Sequence, residues 1–382
     1  MDVLFITQDF PPETGGLQTW SLMVAEGLAR RGHRLTVLAP RAPRGFTEPA
    51  GLEMVRLDVP SDLTPIAAAR TVARLRTKRR FDVVLHAQWQ TAIATESMSW
   101  FDGVPRVVAA HGQELLINPL PVQLGLARRY DAFRTGRLRR ADSVVAVSRF
   151  TAELCVSAGA RPASVRVLPN GVDASTVTGG DGRRLREAQG WGDRPIVLSM
   201  SRLVARKGVD TLLSAWTRVT RHMPDALLVV AGAGPDEPRI RRIHADLRLG
   251  DRVCFFGAAD EATRRDLFDA CDLFVLAAQP EHGSVEGFGI ALLEAGAAGK
   301  AVVAGRCGGI PDAVAVDESG LLFEPRDANA LARRITMLLG DPGMRRRLGE
   351  GGRLRAQEFS AEAFALRWDQ HLESVVESCT SR

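Results

Sequence analysis

The sequence predicts a two-domain α/β protein in which each domain is a doubly wound parallel sheet. Three observations carry this. Short apolar runs alternate with amphipathic helical stretches along the whole chain, and runs that are apolar at every position mark strands buried on both faces. The alternation breaks at Pro169-Asn-Gly-Val-Asp173, where turn residues cluster, and then restarts. A length of 382 residues suits two domains of ordinary size.

In the first series the apolar runs at 3–7, 35–39, 54–57, 83–87, 106–110, 143–147 and 165–168 read as strands, with helices at 18–31, 65–78 and 130–139. The polar stretch 174–182 then reads as a linker, so the domains are 1–173 and 174–360. The second series has strands at 196–200, 226–231, 252–256, 273–276, 301–304 and 320–323. Helices at 209–220, 238–247, 261–270, 291–298 and 328–339 separate them. Phe364, Trp368, Leu372 and Val375 recur at helical spacing and mark a final amphipathic helix. Ligands of open α/β sheets bind beyond the C-terminal ends of the strands, so the loops after the strands are where chemistry is expected.

Composition narrows the class. Hydrophobic residues make up 45% and charged residues 25%, as in soluble globular proteins. The opening run Val3-Leu-Phe-Ile6 is too short for a signal peptide or a membrane span. Five scattered cysteines without a C-x-x-C pair point to a reducing, cytoplasmic setting and away from zinc. Up to residue 173 there are 22 Lys and Arg against 16 Asp and Glu; beyond it there are 28 against 29. The excess lies in Arg70–Arg80 and Arg128–Arg140, which read either as solvated helix faces or as a surface for anionic lipid or an anionic acceptor. Nucleic acid is not expected, because few aromatics interleave with these arginines.

The densest signal is Glu286-Gly-Phe-Gly-Ile-Ala-Leu-Leu-Glu294. Gly287, Phe288, Gly289 and Ile290 form a turn that opens a helix, where free backbone N–H groups suit an anion. Carboxylates on either side can accept hydrogen bonds from hydroxyls, so a ligand with an anionic middle and hydroxyls on both flanks, a nucleotide-sugar, matches the pattern. An ordinary glycine-started helix with an acidic first turn is the plainer alternative. After strand 196–200 come Arg202 and Lys207, with Arg206 a third cation in the same loop. Arg and Lys there can hold a diphosphate without a metal. No D-x-D triplet is present to hold one. His111 ends strand 106–110, and Gly15-Gly16 opens the first helix after a proline-stiffened loop. The G-x-G-x-x-G and G-x-x-x-x-G-K-[ST] patterns are both missing, which argues against nicotinamide dinucleotides and P-loop chemistry.

Taken together and in this order, Pro11-Pro12-x-x-Gly15-Gly16, His111, Asn170-Gly-Val-Asp173, Arg202 with Lys207, and Glu286 with Glu294 resemble glycosyltransferase family 4. Within it, the motifs look most like the phosphatidylinositol mannosyltransferases. The resemblance implies the GT-B fold, two Rossmann-like domains facing across a cleft, with helix 361–382 crossing back onto the first. It implies a retaining transfer of a hexose from a nucleotide-diphosphate sugar, GDP-mannose or a UDP-hexose, to a hydroxyl acceptor that is lipid-linked or a small glycoside. No metal and no cofactor is expected. Arg202 and Lys207 would contact the diphosphate, Glu294 the ribose, and Glu286 with Gly287–Ile290 the sugar. Gly15 and Gly16 would close on the phosphate, and His111 would lie beside the reacting sugar. A peripheral position on the inner face of a membrane follows from a lipid acceptor. A nucleotide-sugar epimerase or hydrolase on the same fold, or a non-catalytic nucleotide-sugar-binding subunit, are the competing readings.

Overall fold

A computed structural model of the chain describes residues 1–13, 15–96, 103–116 and 126–380. Contacts divide it into two units: Met1–Gly171 with the stretch that begins at Ala361, and Val172–Ser360. The division falls two residues before the boundary expected after Asp173. The Val172 N–H donates to the Phe359 carbonyl at 2.8 Å, which ties it to the second unit.

The first unit is built from β1 (Asp2–Ile6), α1 (Gly16–Arg30), β2 (Arg34–Pro40), β3 (Glu53–Leu57), α2 (Thr64–Arg76), β4 (Val83–His86), α3 (Ile93–Glu96) and β5 (Arg106–Ala110). It continues through α4 (Gln113–Leu116), α5 (Leu126–Arg140), β6 (Ser143–Ala146), α6 (Arg149–Ser157) and β7 (Val165–Val167). The strands form one parallel sheet in the order β3-β2-β1-β4-β5-β6-β7. Val3 and Phe5 pack with Val37, Leu85 and α1 on one face; Leu4 and Ile6 pack with Leu38, Val84 and Ala68 of α2 on the other. Both faces are buried, so Val3–Ile6 of β1 are all apolar.

The second unit holds α7 (Gly182–Ala188), β8 (Ile196–Met200), α8 (Val209–His222), β9 (Leu227–Ala231), α9 (Glu237–Asp246), β10 (Val253–Gly257), α10 (Glu261–Ala270) and β11 (Leu273–Leu276). After these come α11 (Ile290–Ala297), β12 (Ala301–Gly305), α12 (Ile310–Ala313), β13 (Gly320–Phe323), α13 (Ala328–Gly340) and α14 (Pro342–Glu358). Its parallel sheet runs β10-β9-β8-β11-β12-β13. The stretch 174–182 is docked rather than loose: the Asp181 and Gly182 N–H groups donate to Asp266 and Asp269 of α10.

The last helix, α15 (Ala361–Thr380), belongs to the first unit. Phe364, Trp368 and Leu372 enter the core beneath α1. Buried Asp369 accepts from Arg31, and its other oxygen lies 2.6 Å from His33 Nε2. Among the described residues no helix is long and apolar enough to cross a membrane.

Each sheet has one switch point. The chain builds outward through β1, β2 and β3 and returns on the far side of β1 as β4; it does the same from β8 through β10 to β11. The loops after β1 and β4, and after β8 and β11, therefore open into the crevice where such sheets bind ligands.

Candidate functional site

The loop after β8 is held by a close backbone approach. Gly208 caps α8 with φ 66°, and a Cβ built there would sit 1.8 Å from the Ala277 carbonyl oxygen, so only glycine is tolerated. Gln279, 1% exposed, donates its N–H to the Arg206 carbonyl at 2.8 Å, and its Oε1 accepts from Thr211 Oγ1 at 2.9 Å. The loops after β8 and β11 are thus tied to each other by hydrogen bonds.

Together these loops present a buried ion cluster. Glu286 Oε2 accepts from Lys207 Nζ at 2.7 Å and from Arg206 Nη1. Burial opposes ionisation of Glu286, but Lys207 and Arg206 outweigh it and bring its pKa down to about 2. Arg206, which the sequence left as a third cation, is therefore part of the cluster. Arg202 is exposed and makes no side-chain hydrogen bond or ion pair among the described residues.

The turn after Glu286 serves both packing and exposure of backbone. Phe288 is 2% exposed and tilts against Phe359 at 5.8 Å between ring centroids, so its side chain is core and only its backbone faces the loop. Gly289 caps α11 with φ 93°. The N–H groups of Phe288, Gly289 and Ile290 have no protein partner among the described residues, which leaves an α-helix start open to an anion. Glu294 lies one turn into α11 and pairs with Arg264 Nη2 of α10 at 2.7 Å. Both rims of the expected site are thus paired to cations, Glu286 to two and Glu294 to one. Among the described residues no group of three or more His, Cys, Asp or Glu is placed to hold a metal ion.

The first unit has its own cluster at the ends of β1, β4 and β5. His111 Nε2 lies 3.0 Å from the Ala87 carbonyl, which only accepts, so Nε2 carries the proton. Burial lowers the His111 pKa against the pull of Glu114, leaving a neutral ring with Nδ1 as an acceptor. Trp20 meets the ring edge-on at 4.6 Å, and Glu114 accepts the His111 N–H at 2.6 Å. Asp9, at the end of β1, accepts from Gln18 at 2.9 Å. Burial, with Glu13, Glu114 and Asp62 nearby, pushes its pKa up to about 6. Gly15 is extended and Gly16 has open space where a Cβ would stand, so neither is required by strain. Thr14, inside the same motif, lies outside the described residues.

Switch-point loops are where doubly wound sheets bind ligands, and paired cations there beside an open helix start suit the class of proteins that bind phosphate-bearing ligands. Comparison with known proteins makes that class specific. Residues 14–176 match the Glycosyltransferase Family 4 model, and residues 181–355 match the model for Glycosyl transferases group 1. The chain is 33% identical over 361 residues to the GDP-mannose-dependent alpha-(1-6)-phosphatidylinositol monomannoside mannosyltransferase of Mycolicibacterium smegmatis, covering 92% of each chain. Among solved structures, sucrose-phosphate synthase from Thermosynechococcus elongatus superposes with a TM-score of 0.83 at 23% identity, covering 99% of this chain and 100% of that one. A HepE structure from Anabaena in complex with UDP does so with a TM-score of 0.78 at 21% identity, covering 98% and 100%. The chain belongs to glycosyltransferase family 4. It has the GT-B fold and is a glycosyltransferase.

Proposed function

We propose that the protein transfers mannose from GDP-mannose to a hydroxyl of a phosphatidylinositol mannoside or a closely related glycolipid, with retention at the anomeric carbon and without a metal. The observation that carries the reading is the cluster of Arg206, Lys207 and Glu286 at the β8/β11 switch point, next to the open start of α11. The donor class and the lipid acceptor are supported by the activity named for the 33% identical relative.

In this reading Lys207 and Arg206 meet the diphosphate, joined by Arg202, whose side chain is free to fold onto it. The N–H groups of Gly289 and Ile290 complete the phosphate or sugar contacts. Glu286 accepts from sugar hydroxyls and Glu294 from the ribose. The bond from the anomeric carbon to the β-phosphate oxygen breaks, the bond to the acceptor oxygen forms, and the acceptor proton passes to the leaving phosphate. Arg206 and Lys207 stabilise the charge that develops on that phosphate. His111 accepts a hydrogen bond from a hydroxyl of the reacting sugar through Nδ1, since Nε2–H is held by the Ala87 carbonyl, and Gly15-Gly16 approaches the phosphate. The acceptor lipid places the protein peripherally on the inner face of a membrane.

The test begins with calorimetry of GDP and UDP. GDP should bind, and Lys207→Ala should weaken it at least about tenfold, the worth of one charge-assisted hydrogen bond. Transfer of labelled mannose from GDP-mannose to phosphatidylinositol monomannoside should then proceed in EDTA. His111→Ala should bind GDP normally and turn over on the order of 100-fold more slowly. Turnover that needs a divalent ion, or that survives His111→Ala unchanged, contradicts the corresponding part of the mechanism.

A further inference from the structure

Arg264 is one of two adjacent arginines on α10, and the two behave differently. Arg265 makes an ordinary bond along its own helix to Glu261 at 3.2 Å. Arg264 instead reaches across to the neighbouring helix α11 and donates from Nη2 to Glu294 Oε1 at 2.7 Å. The start of α10 that carries it is fixed, because Asp260 caps the helix by accepting from the Thr263 N–H at 2.8 Å. Glu294 is the better buried of the two, its side chain 19% exposed against 30% for Arg264. Its Oε2 has no hydrogen-bond partner among the described residues.

A carboxylate offers about four acceptor positions on two oxygens. With one oxygen held by a guanidinium, the rotamer is set and the other oxygen is left facing outward. Two hydroxyls on adjacent carbons can both donate to such a group. We propose that Arg264 is a positioning residue for donor binding: by holding Glu294 Oε1 it presents the carboxylate to the vicinal 2′,3′-diol of the nucleotide ribose. The inference rests on the assignment of Glu294 to the ribose made above.

The experiment compares a nucleoside diphosphate with its 2′,3′-dideoxy form. The base is whichever of GDP, UDP or ADP the native protein binds; a native protein that binds none overturns the donor-site reading and this inference with it. Affinities are measured by calorimetry for the native protein, Glu294→Ala, Arg264→Ala and Arg264→Lys. Native protein should favour the ribonucleotide about tenfold or more. Glu294→Ala should abolish the preference. Arg264→Ala should reduce it to about twofold, since a mobile carboxylate pays more to order itself, and Arg264→Lys should restore part of it. A role in stability alone would weaken both ligands equally and leave the ratio unchanged. If Glu294→Ala abolishes the preference and Arg264→Ala keeps it at the native value, Arg264 is not the positioning group while the ribose assignment stands. If Glu294→Ala retains the preference, the ribose assignment itself is wrong.

Discussion

Lys207 Nζ lies 2.7 Å from the Glu286 carboxylate, so a diphosphate that reaches Lys207 competes with a side chain already in place. Glu286→Gln keeps the shape and removes the charge. It should raise affinity for the free nucleoside diphosphate by about tenfold, since the competitor is weakened, while turnover falls because the sugar loses its charged acceptor. Affinity falling together with turnover would mean that Glu286 organises the cations for binding instead. The same ion cluster sets an acid limit. The Glu286 pKa is depressed from 4.5 to about 2, so its contribution to stability is fully present above 4.5 and is lost as pH falls towards 2. Asp9 has the opposite sign. Its pKa is raised from 3.8 to about 6, so its ionised form strains the fold above pH 6, and that strain is relieved as pH falls from 6 to below 3.8. Asp9→Asn should therefore raise the melting temperature at pH 8 and leave it near the native value at pH 3.5. An equal rise at both pH values would show that charge is not the cause.

At the scale of elements, the site depends on two loops that hydrogen bonds tie together. Gly208→Ala forces a side chain into the left-handed region and against the Ala277 carbonyl. The backbone conformation alone costs about 1–2 kcal/mol, and the clash adds to it. Thermal unfolding should register the loss, and nucleotide affinity should fall with it, because Gln279 and Arg206 share the displaced backbone. Unchanged affinity in a destabilised variant would separate the loop contact from binding. The thirteen strands among the described residues were legible in the sequence, most of them because burial on both faces leaves an apolar run; the half-exposed edge strands β3 and β7 carry Arg56 and Arg166 between apolar neighbours. The helix α14 was not legible. Its segment carries Gly349, Gly351 and Gly352, poor helix formers on their own, yet a Cβ at Gly349 would stand 2.2 Å from the Gly299 carbonyl and one at Gly351 2.0 Å from that of Glu318. Those glycines serve close helix packing, a tertiary reason that no local pattern states. The site divides the same way. Glu286, Glu294, Arg202, Lys207 and His111 stand out in the sequence because they follow strands in a recognisable order, and the structure pairs Glu286 with Lys207 and Arg206 rather than with Arg202. Which arginine of the β8 loop turns inward depends on the turn at Ala205–Lys207. Arg264 comes from a different helix, thirty residues before its partner.

At the scale of the whole molecule, the sequence's charge imbalance resolves onto one side of the first unit. Helices α2 and α5 cover the same face of its sheet, the one formed by Leu4, Val84, Val108 and Val144, opposite α1 and α15. Arg70, Arg74, Lys78 and Arg80 on and after α2 are exposed, as are Arg128, Arg129 and Arg139 on α5. Beside them stand apolar side chains that water does not favour: Leu63 at 49% exposure, Ile66 at 62% and Phe133 at 42%. Leu63, Ile66, Arg70 and Arg74 follow one another at helical spacing, so the apolar pair and the basic pair share a stripe. Basic groups flanking an exposed apolar tip suit an anionic bilayer, where the tip enters the headgroup layer and each Lys or Arg contributes about 1 kcal/mol. A lipid acceptor would then be met at the surface where it resides. Vesicle sedimentation should show binding to phosphatidylglycerol-containing membranes and little to pure phosphatidylcholine. Raising salt should weaken it as the Debye length shortens. Arg70→Ala with Arg74→Ala should reduce vesicle affinity about 30-fold, the equivalent of two such charges, while GDP affinity in the second unit stays unchanged. Binding indifferent to lipid charge and to salt would return these arginines to the role of solvated helix faces.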